Sequence, residues 1–392
     1  MQNFVFHNPT KILFGKKTVP SIGKETAALG KKVLLVHGKD SIKKSGLYQQ
    51  VLLSLAAAGT EITEHGGVQS NPLLSHVNLG IEKARENCCD VVCAVGGGSV
   101  IDEAKAICAG ATVMHDVWKF FTGKKSVKAP LPLTTVLTLA ASGSEMNSGM
   151  VITNEQTAQK FGFANKQLHP KTSILDPTLT CSVPADYTAY GAVDAVAHVL
   201  EFYFTTTDPH TPVQDRLMEG LMINAMESCN RVLAAPNDYR SRADLMWTAT
   251  LALNGLTAAG LGKVGFPMHM IEHSLSALYN VPHGAGLSAV IPGWMRFHLV
   301  HQTDRFAQFA QRVFDIREGS ATEQAEAGIR SLTSWFEKVS VPTNLTALDI
   351  SAAEFEKIAE NADTLARVWR MKDYDSEKIL LILNNCTAFN SD

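Results

Sequence analysis

Residues 91–107 read VVCAVGGGSVIDEAKAI. Small and β-branched apolar residues run into three glycines, and an amphipathic, helix-like pattern comes next. That order predicts a buried strand, then a turn at Gly96, Gly97 and Gly98 where a ligand can approach the main chain, then a helix. Ser99 stands where an N-cap would, with Asp102 three residues on as a capping-box partner. Unpaired amides at such a helix start, together with the helix dipole, favour a phosphate or pyrophosphate. The stretch departs from the ordinary dinucleotide fingerprint, because Ile101 occupies the position of the third glycine and the turn does not follow the first strand. Taken alone, the motif is weak: a phosphate cradle is the favoured reading and a tight structural turn the competing one.

Working outward, the chain alternates β-rich and helical segments. KVLLVHG (32–38) precedes a helix-like GLYQQVLLSLAAAG (46–59), then EITEH (61–65), then a helix in NPLLSHVNLGIEKARENC (71–88), then the opening strand. This alternation predicts parallel strands joined by right-handed crossovers, with helices on both faces. The expected fold is therefore an α/β N-terminal domain over 1–184, a doubly wound, mainly parallel, Rossmann-like sheet. From DYTAYGAVDAVAHVLEFYF (186–204) onward β-rich runs disappear, while helical periodicity persists near 215–233, 240–260, 268–279, 303–315 and 322–339. The second domain, 185–392, is expected to be all-α. Pro177 and Pro184 in DPTLTCSVPADY interrupt any helix at the boundary.

Composition excludes several classes. Of 392 residues, 45% are apolar and 19% charged, with a formal net charge of −3, so the concentrated basic field of a nucleic-acid binder is missing. The short basic run GKKSVK (123–128) reads as a solvated loop. The start MQNFVFHNPTKILFG lacks the pattern of a secretion signal, and no run of 18 apolar residues occurs. A cytoplasmic protein that does not engage a membrane is expected. Seven cysteines, an odd number without CxxC pairs, point to buried reduced thiols rather than disulfides or a thiolate zinc site.

A second small-residue loop supports a ligand at the sheet. TLAASGSEMNSG (138–149) comes after the strand-like LPLTTV (131–136) and brings Thr138, Ser142, Ser144 and Asn147 to the carboxyl edge, where ligands of such sheets bind. In the helical half, VDAVAHVLE (193–201) places Asp194 and His198 on one helix face. Further on, MHMIEHSLSALYNVPHGAGL (268–287) gathers His269, His273 and His283. Three imidazoles and a carboxylate suit Fe(II), Zn(II) or Ni(II) and not Mg or Ca. Spacing leaves open whether His269 or His273 is the ligand, and Glu272 can compete. His7, His37, His65, His76, His115, His169, His210, His298 and His301 have no partner at metal spacing and read as structural or surface groups. Met268 and Met270 read as core filling.

With NPTKILFGK (8–16), AVGGGSVID (94–102), TLAASGSE (138–145), LDPTLT (175–180), VDAVAHVLE, MWTATLALNG (246–255) and MHMIEHSLSALYNVPHGAGL in that order, the sequence resembles the iron-containing, group III alcohol dehydrogenases over nearly its whole length. It is most similar to their NADPH-using aldehyde reductase and butanol dehydrogenase branch. The resemblance implies a nucleotide-binding α/β domain, a helical domain and an active site in the cleft between them. It assigns the metal ligands to Asp194, His198, His269 and His283, and places His273 near the substrate and nicotinamide. The pyrophosphate falls on Gly97, Gly98 and Ser99, with Asp102 toward the nicotinamide. Thr138, Ser142, Ser144, Asn147 and Lys160 line the rest of the groove, and Asn71 lies near the adenosine end.

The chemistry implied by the resemblance is hydride transfer between a nicotinamide cofactor and a small aldehyde or primary alcohol, with the metal as Lewis acid and His273 relaying the proton. Four protein ligands fill a tetrahedral zinc site, so a substrate entering as a fifth ligand suits Fe(II) better, with Zn(II) able to use the same residues. After KVLLV the turn HGKDSIKK (37–44) sets Gly38 and Ser41 among Lys39, Lys43 and Lys44, groups able to receive a 2′-phosphate. NADP is favoured over NAD on that ground, although Asp40 would repel the phosphate if it pointed inward. Dehydroquinate-synthase-like and polyol-phosphate dehydrogenase enzymes share this plan but need extra cations around their charged substrates, and few occur near MHMIEH and PHGAGL. A nucleotide-independent metal hydrolase would leave both small-residue loops idle. The family suggests a homodimer.

Overall fold

Strand β4 (Val91–Gly96) is buried at every residue, and that is possible only at the centre of a sheet covered on both faces. The computed structural model describes residues 1–208 and 210–387 and puts β4 in a six-stranded, wholly parallel sheet. Its strands are β1 (Lys11–Phe14), β2 (Lys32–His37), β3 (Glu61–Gly66), β4, β5 (Leu133–Leu137) and β8 (Thr172–Leu175), in spatial order β1-β8-β5-β4-β2-β3. Helices α1 (Ile22–Ala27), α2 (Ser41–Lys44), α3 (Leu47–Ala57), α4 (Leu74–Glu86), α5 (Gly98–Ala111) and α6 (Trp118–Phe121) fill the crossovers. On one face Val33, Leu35, Val91, Cys93, Val95, Val136 and Ile174 pack on Ile22, Leu47, Val51 and Leu55. Each such side chain contributes roughly 1.5–3 kcal/mol on burial. The chain runs outward from β2 to β3 and then crosses back to β4, so the strand order reverses between β2 and β4. That is where a doubly wound sheet opens a crevice at its carboxyl edge.

The remaining helices are α7 (Ala185–Thr205), α8 (Pro212–Ala234), α9 (Tyr239–Ala252), α10 (Pro267–Tyr279), α11 (His283–Leu299), α12 (Thr303–Val313), α13 (Ala321–Lys338), α14 (Phe355–Val368) and α15 (Ser376–Asn384). Among the described residues no strand occurs after β8, as the loss of β-rich runs predicts. A bidentate pair from Arg305 on α12 to Asp215 on α8, at 2.7 and 2.8 Å, ties the helices together, and the same guanidinium lies 3.7 Å over the Tyr203 ring of α7.

The chain packs as two compact units, and a single cut after residue 184 does not describe them. The sheet unit takes His7–Val183 and also Pro236–Asn254, whose helix α9 supplies Thr250 to Glu145 (2.5 Å) and Trp247 to Phe14 (ring centroids 5.9 Å). The helical unit takes Pro184–Ala235, Gly255–Asp392 and the N-terminal Met1–Phe6, where Gln2 N–H donates to the Gly260 carbonyl at 2.9 Å. The periodicity expected over 240–260 ends at Ala252, where Leu253 leaves helical geometry at φ −132°, and Gly255 and Gly260 follow at φ of +92° and +76°. An antiparallel hairpin, β6 (Gly149–Asn154) with β7 (Gln159–Ala164), stands outside the main sheet and has no counterpart in the expected alternation. All seven cysteines are free; Cys88 is exposed and Cys181 partly so, and the other five are buried as expected.

Candidate active site

The carboxyl edge of the sheet carries the glycine turn. Helix α5 begins at Gly98, with Gly97 in the N-cap position at extended φ, ψ and no side-chain cap. The expected Ser99–Asp102 capping box is therefore absent. The carboxylate of Asp102 instead turns outward from its helix, accepting from Ser144 Oγ (2.5 Å) and from Val151 N–H (3.0 Å). This frees the amides at the α5 N-terminus from any side-chain cap, the condition under which they can bind an anion. Gly98 is required by a neighbour: a Cβ there would lie 2.2 Å from Ser142 Oγ. The two small-residue loops thus touch, with Thr138 N–H also donating to the Gly96 carbonyl at 3.1 Å.

One residue outside the sequence motifs holds the second loop in shape. Lys105, fully buried on α5, donates from Nζ to Ser144 Oγ (2.8 Å), the carbonyls of Asn147 (3.0 Å) and Gly149 (2.7 Å), and Asn147 Oδ1 (3.1 Å). Burial pulls its pKa down to about 8, against the attraction of Asp102 and Glu145. Burial pushes the Asp102 carboxyl up, opposed by Lys105 and by its hydrogen bonds to Ser144 and Val151. Asn147 also holds Gly149 N–H (2.9 Å) and the Ser142 carbonyl (3.1 Å), so Ser144 and Asn147 shape the loop around Ser142. Gly38 closes the other side of the switch point: a Cβ on it would lie 3.8 Å from the Val100 side chain of α5. Ser41 opens α2 and is exposed, as are Lys39 and Asp40. Asn71, buried at φ +54°, precedes Pro72, whose carbonyl accepts from Thr153 N–H (2.8 Å); Thr153 in turn pairs across the hairpin with buried Lys160.

The helical unit builds its site from side chains. Asp194 and His198 lie one turn apart on α7, His269 and His273 one turn apart on α10, and His283 is the first residue of α11. Asp194 Oδ1 lies 3.6 Å from His198 Nδ1, 3.6 Å from His269 Nε2 and 3.5 Å from His283 Nε2. Those separations are too long for hydrogen bonds. They match the edges of a ligand polyhedron, since bonds of about 2.0–2.1 Å to one ion put tetrahedral neighbours roughly 3.3 Å apart. Asp194 Oδ1, His198 Nδ1 and His269 Nε2 are buried without hydrogen-bond partners, and buried polar atoms are seldom left so. The donor set fits a divalent transition metal.

Two glutamates in the same helices aim the imidazoles. Glu201, wholly buried on α7, accepts both from His269 Nδ1 (3.0 Å) and from the His269 main-chain N–H (2.8 Å). Glu272 on α10 holds His283 Nδ1 and the Ser276 hydroxyl. Donation from each Nδ1 leaves the Nε2 lone pair facing Asp194, the tautomer that a metal ligand needs. Glu272 thus orients His283, and with His273 and His283 it also forms another, overlapping group of side chains close enough to share an ion. Burial opposes charge on Asp194, yet the adjacent imidazoles of His198 and His283 hold its carboxyl well below the usual range. Burial depresses His198 to about 3, whereas at His269 the negative charge of nearby Asp194 and the hydrogen bond to Glu201 outweigh burial and raise it to about 9. His273 sits beside this group, its ring 5.7 Å from that of His283 and 5.5 Å from Trp369.

Comparison with known proteins agrees with both halves. Residues 9–177 match the family model for iron-containing alcohol dehydrogenase and 188–386 the model for its C-terminal region. This chain belongs to the iron-containing alcohol dehydrogenase family. It is 42% identical over 385 residues to a probable NADH-dependent butanol dehydrogenase 1 of Bacillus subtilis, covering 98% of this chain and 99% of that one. It is 36% identical to the NADPH-dependent aldehyde reductase YqhD of Escherichia coli, over 93% and 95% of the two chains. The solved structure of an NADH-dependent butanol dehydrogenase A from Thermotoga maritima superposes with a TM-score of 0.94, at 41% identity and 99% coverage of both chains. The enzyme is accordingly an NAD(P)-linked oxidoreductase of the alcohol and aldehyde class. Among the described residues no helix is long and apolar enough to cross a membrane.

Proposed function

We propose that this family member reduces a small, weakly charged aldehyde to its primary alcohol with NADPH, using Fe(II) held by Asp194, His198, His269 and His283. The carrying observation is the carboxylate oxygen of Asp194 centred among three imidazole nitrogens, two of them aimed by buried glutamates. A divalent cation bound there would act as a Lewis acid, offsetting negative charge as it develops on the carbonyl oxygen. The nicotinamide would supply the hydride to the carbonyl carbon, and a proton completes the alcohol. For the chain's own part, Glu201 and Glu272 keep the Nδ1 protons of His269 and His283 in place, so the opposite nitrogens stay basic. His273, buried beside His283, is assigned the exchange of the proton with water.

On the sheet, Gly97, Gly98 and Ser99 are assigned the pyrophosphate, supported by the uncapped α5 amides. Thr138 and Ser142 line the groove, which Asp102, Ser144, Asn147 and Lys160 shape, and Asn71 is placed toward the adenosine. Gly38 and Ser41 flank the ribose. Lys39, Lys43 and Lys44 support NADP, and Asp40 is exposed at the N-cap of α2 without capping it, free to swing away from a 2′-phosphate. Zn(II) fits the same ligands, and NAD the same turn. A cytoplasmic homodimer completes the reading, and sedimentation tests the dimer.

The deciding experiment monitors oxidation of NADPH and NADH over a panel of small aldehydes, on protein whose metal content has been measured as purified. Aldehyde-dependent oxidation that disappears on chelation and returns with Fe(II) is expected. Full activity after chelation would overturn the metal's role, and cofactor binding without turnover on any aldehyde would overturn the reaction.

A further inference from the structure

A second group of metal-ligating side chains lies in the sheet unit, outside the residues assigned above. His65 at the end of β3, His76 in the first turn of α4 and Glu103 in the second turn of α5 are far apart in sequence, and the fold brings them together. His65 Nε2 is 2.9 Å and His76 Nδ1 2.7 Å from the same carboxylate oxygen, Glu103 Oε1. The two rings lie 4.3 Å apart, tilted by 31°. Glu103 is wholly buried, and its other oxygen, Oε2, has no hydrogen-bond partner.

A carboxylate serving two imidazoles through one oxygen, with the other dry and bare, leaves an acceptor unsatisfied that folding normally would not leave. Two histidines and one glutamate form the set that holds zinc with three protein ligands and one position for water. Hard cations such as Mg and Ca prefer all-oxygen cages, so they are disfavoured. His65 is buried, whereas the His76 side chain keeps 27% of its surface open, which gives an ion a way in and lets the ring swing outward. That movement is needed, because the present spacings are hydrogen-bond lengths and bonds of about 2.0–2.2 Å to one ion spread the donors slightly further.

We propose that His65, His76 and Glu103 form a second zinc site, which clips the end of β3 to α4 and α5. The site does not depend on the assignment of Asp194 and its histidines. Its position at the end of β3, with α4 and α5 as the two helices it joins, makes zinc a brace for the edge of the sheet beside α5.

The test is zinc stoichiometry on the full chain, stripped with chelator, reloaded with excess zinc, desalted and analysed for metal. The intact chain is expected to keep about two equivalents, and His76→Gln and Glu103→Gln about one each. In Asp194→Asn, which disables the other group, about one equivalent is expected to remain and to vanish when His76→Gln is added. Retention of the full count by both His76→Gln and Glu103→Gln, or complete loss of zinc in Asp194→Asn, overturns the site. A change in melting temperature of His76→Gln without a change in count overturns it too, since a purely hydrogen-bonded trio would behave so. If either glutamine variant fails to fold, the other carries the test, and His76 is the more tolerant position because it is partly exposed.

Discussion

In the proposed function the two units would hold their ligands by opposite means. In the helical unit the chemistry resides in side chains, with one carboxylate and three imidazoles drawn from α7, α10 and α11 and fixed from behind by Glu201 and Glu272. In the sheet unit it resides in the main chain, where Gly97 and Gly98 expose amides and side chains mainly hold the neighbouring loop in shape. A side-chain site fails when one group is deleted, while a main-chain site fails when one group is added.

The largest expected effect tests the first half of that contrast. His283→Ala should lose bound metal and at least about a thousandfold in activity, by analogy with removal of an electrostatic stabiliser at the reacting oxygen, yet keep its affinity for NADPH. Metal analysis, kinetics and cofactor fluorescence together check it, and activity independent of metal would break the comparison. Gly98→Val should do the reverse. Its side chain would run into Ser142, so cofactor affinity should fall on the order of a hundredfold, about 2.7 kcal/mol, with metal content unchanged. Unaltered cofactor affinity would remove the main-chain cradle from the account.

Smaller effects sharpen the contrast. Glu272→Gln keeps a hydrogen-bonding group against His283 but removes the charge that makes it a stronger ligand, so metal affinity should fall roughly 10–100-fold in a chelator competition. Lys105→Met leaves four acceptors of the Ser144–Gly149 segment without their donor. Denaturant unfolding should show a loss of about 2 kcal/mol, with weaker cofactor binding and intact metal content. The smallest effect is a slope with pH. Burial lowers the Lys105 pKa from 10.5 to about 8, so between those values the unfolded chain binds more protons than the folded one. Stability should therefore rise with pH across that window and lose this contribution below it, and Lys105→Met should flatten the rise.

Much of this was legible in the order of residues. The VVCAVGGG run predicted a buried parallel strand ending on bare backbone, because only a central strand is apolar on both faces. The i, i+4 spacing put Asp194 over His198, since helix geometry alone fixes that neighbour relation. Glu201 and Glu272 were not singled out as orienting groups, although each lies within the motif of a ligand. A glutamate in an amphipathic helix usually faces water, and only the tertiary fold shows that these are turned inward. Lys105 was missed for the same reason. The local pattern of Ser99 and Asp102 allows a capping box, but Ser144 of the β5–β6 loop and Val151 of β6 take the carboxylate. Helix α9 joined the sheet unit through Thr250 and Trp247, long-range contacts that no periodicity encodes. His65 and His76, read as unrelated, meet only because β3 and α4 converge on α5.

The four proposed ligands, Asp194 and the three histidines around it, are unequal in one respect. Asp194 and His198 lie within the body of α7 and His269 in the first turn of α10, all almost closed to water, whereas His283 heads α11 and keeps 28% of its side-chain surface open. Under the proposed ligand set the cage has three closed walls and one open side, at His283. An ion can enter or leave by a brief loosening of one helix tip, so exchange should proceed far faster than global unfolding, and the escaping ion should part from His283 first.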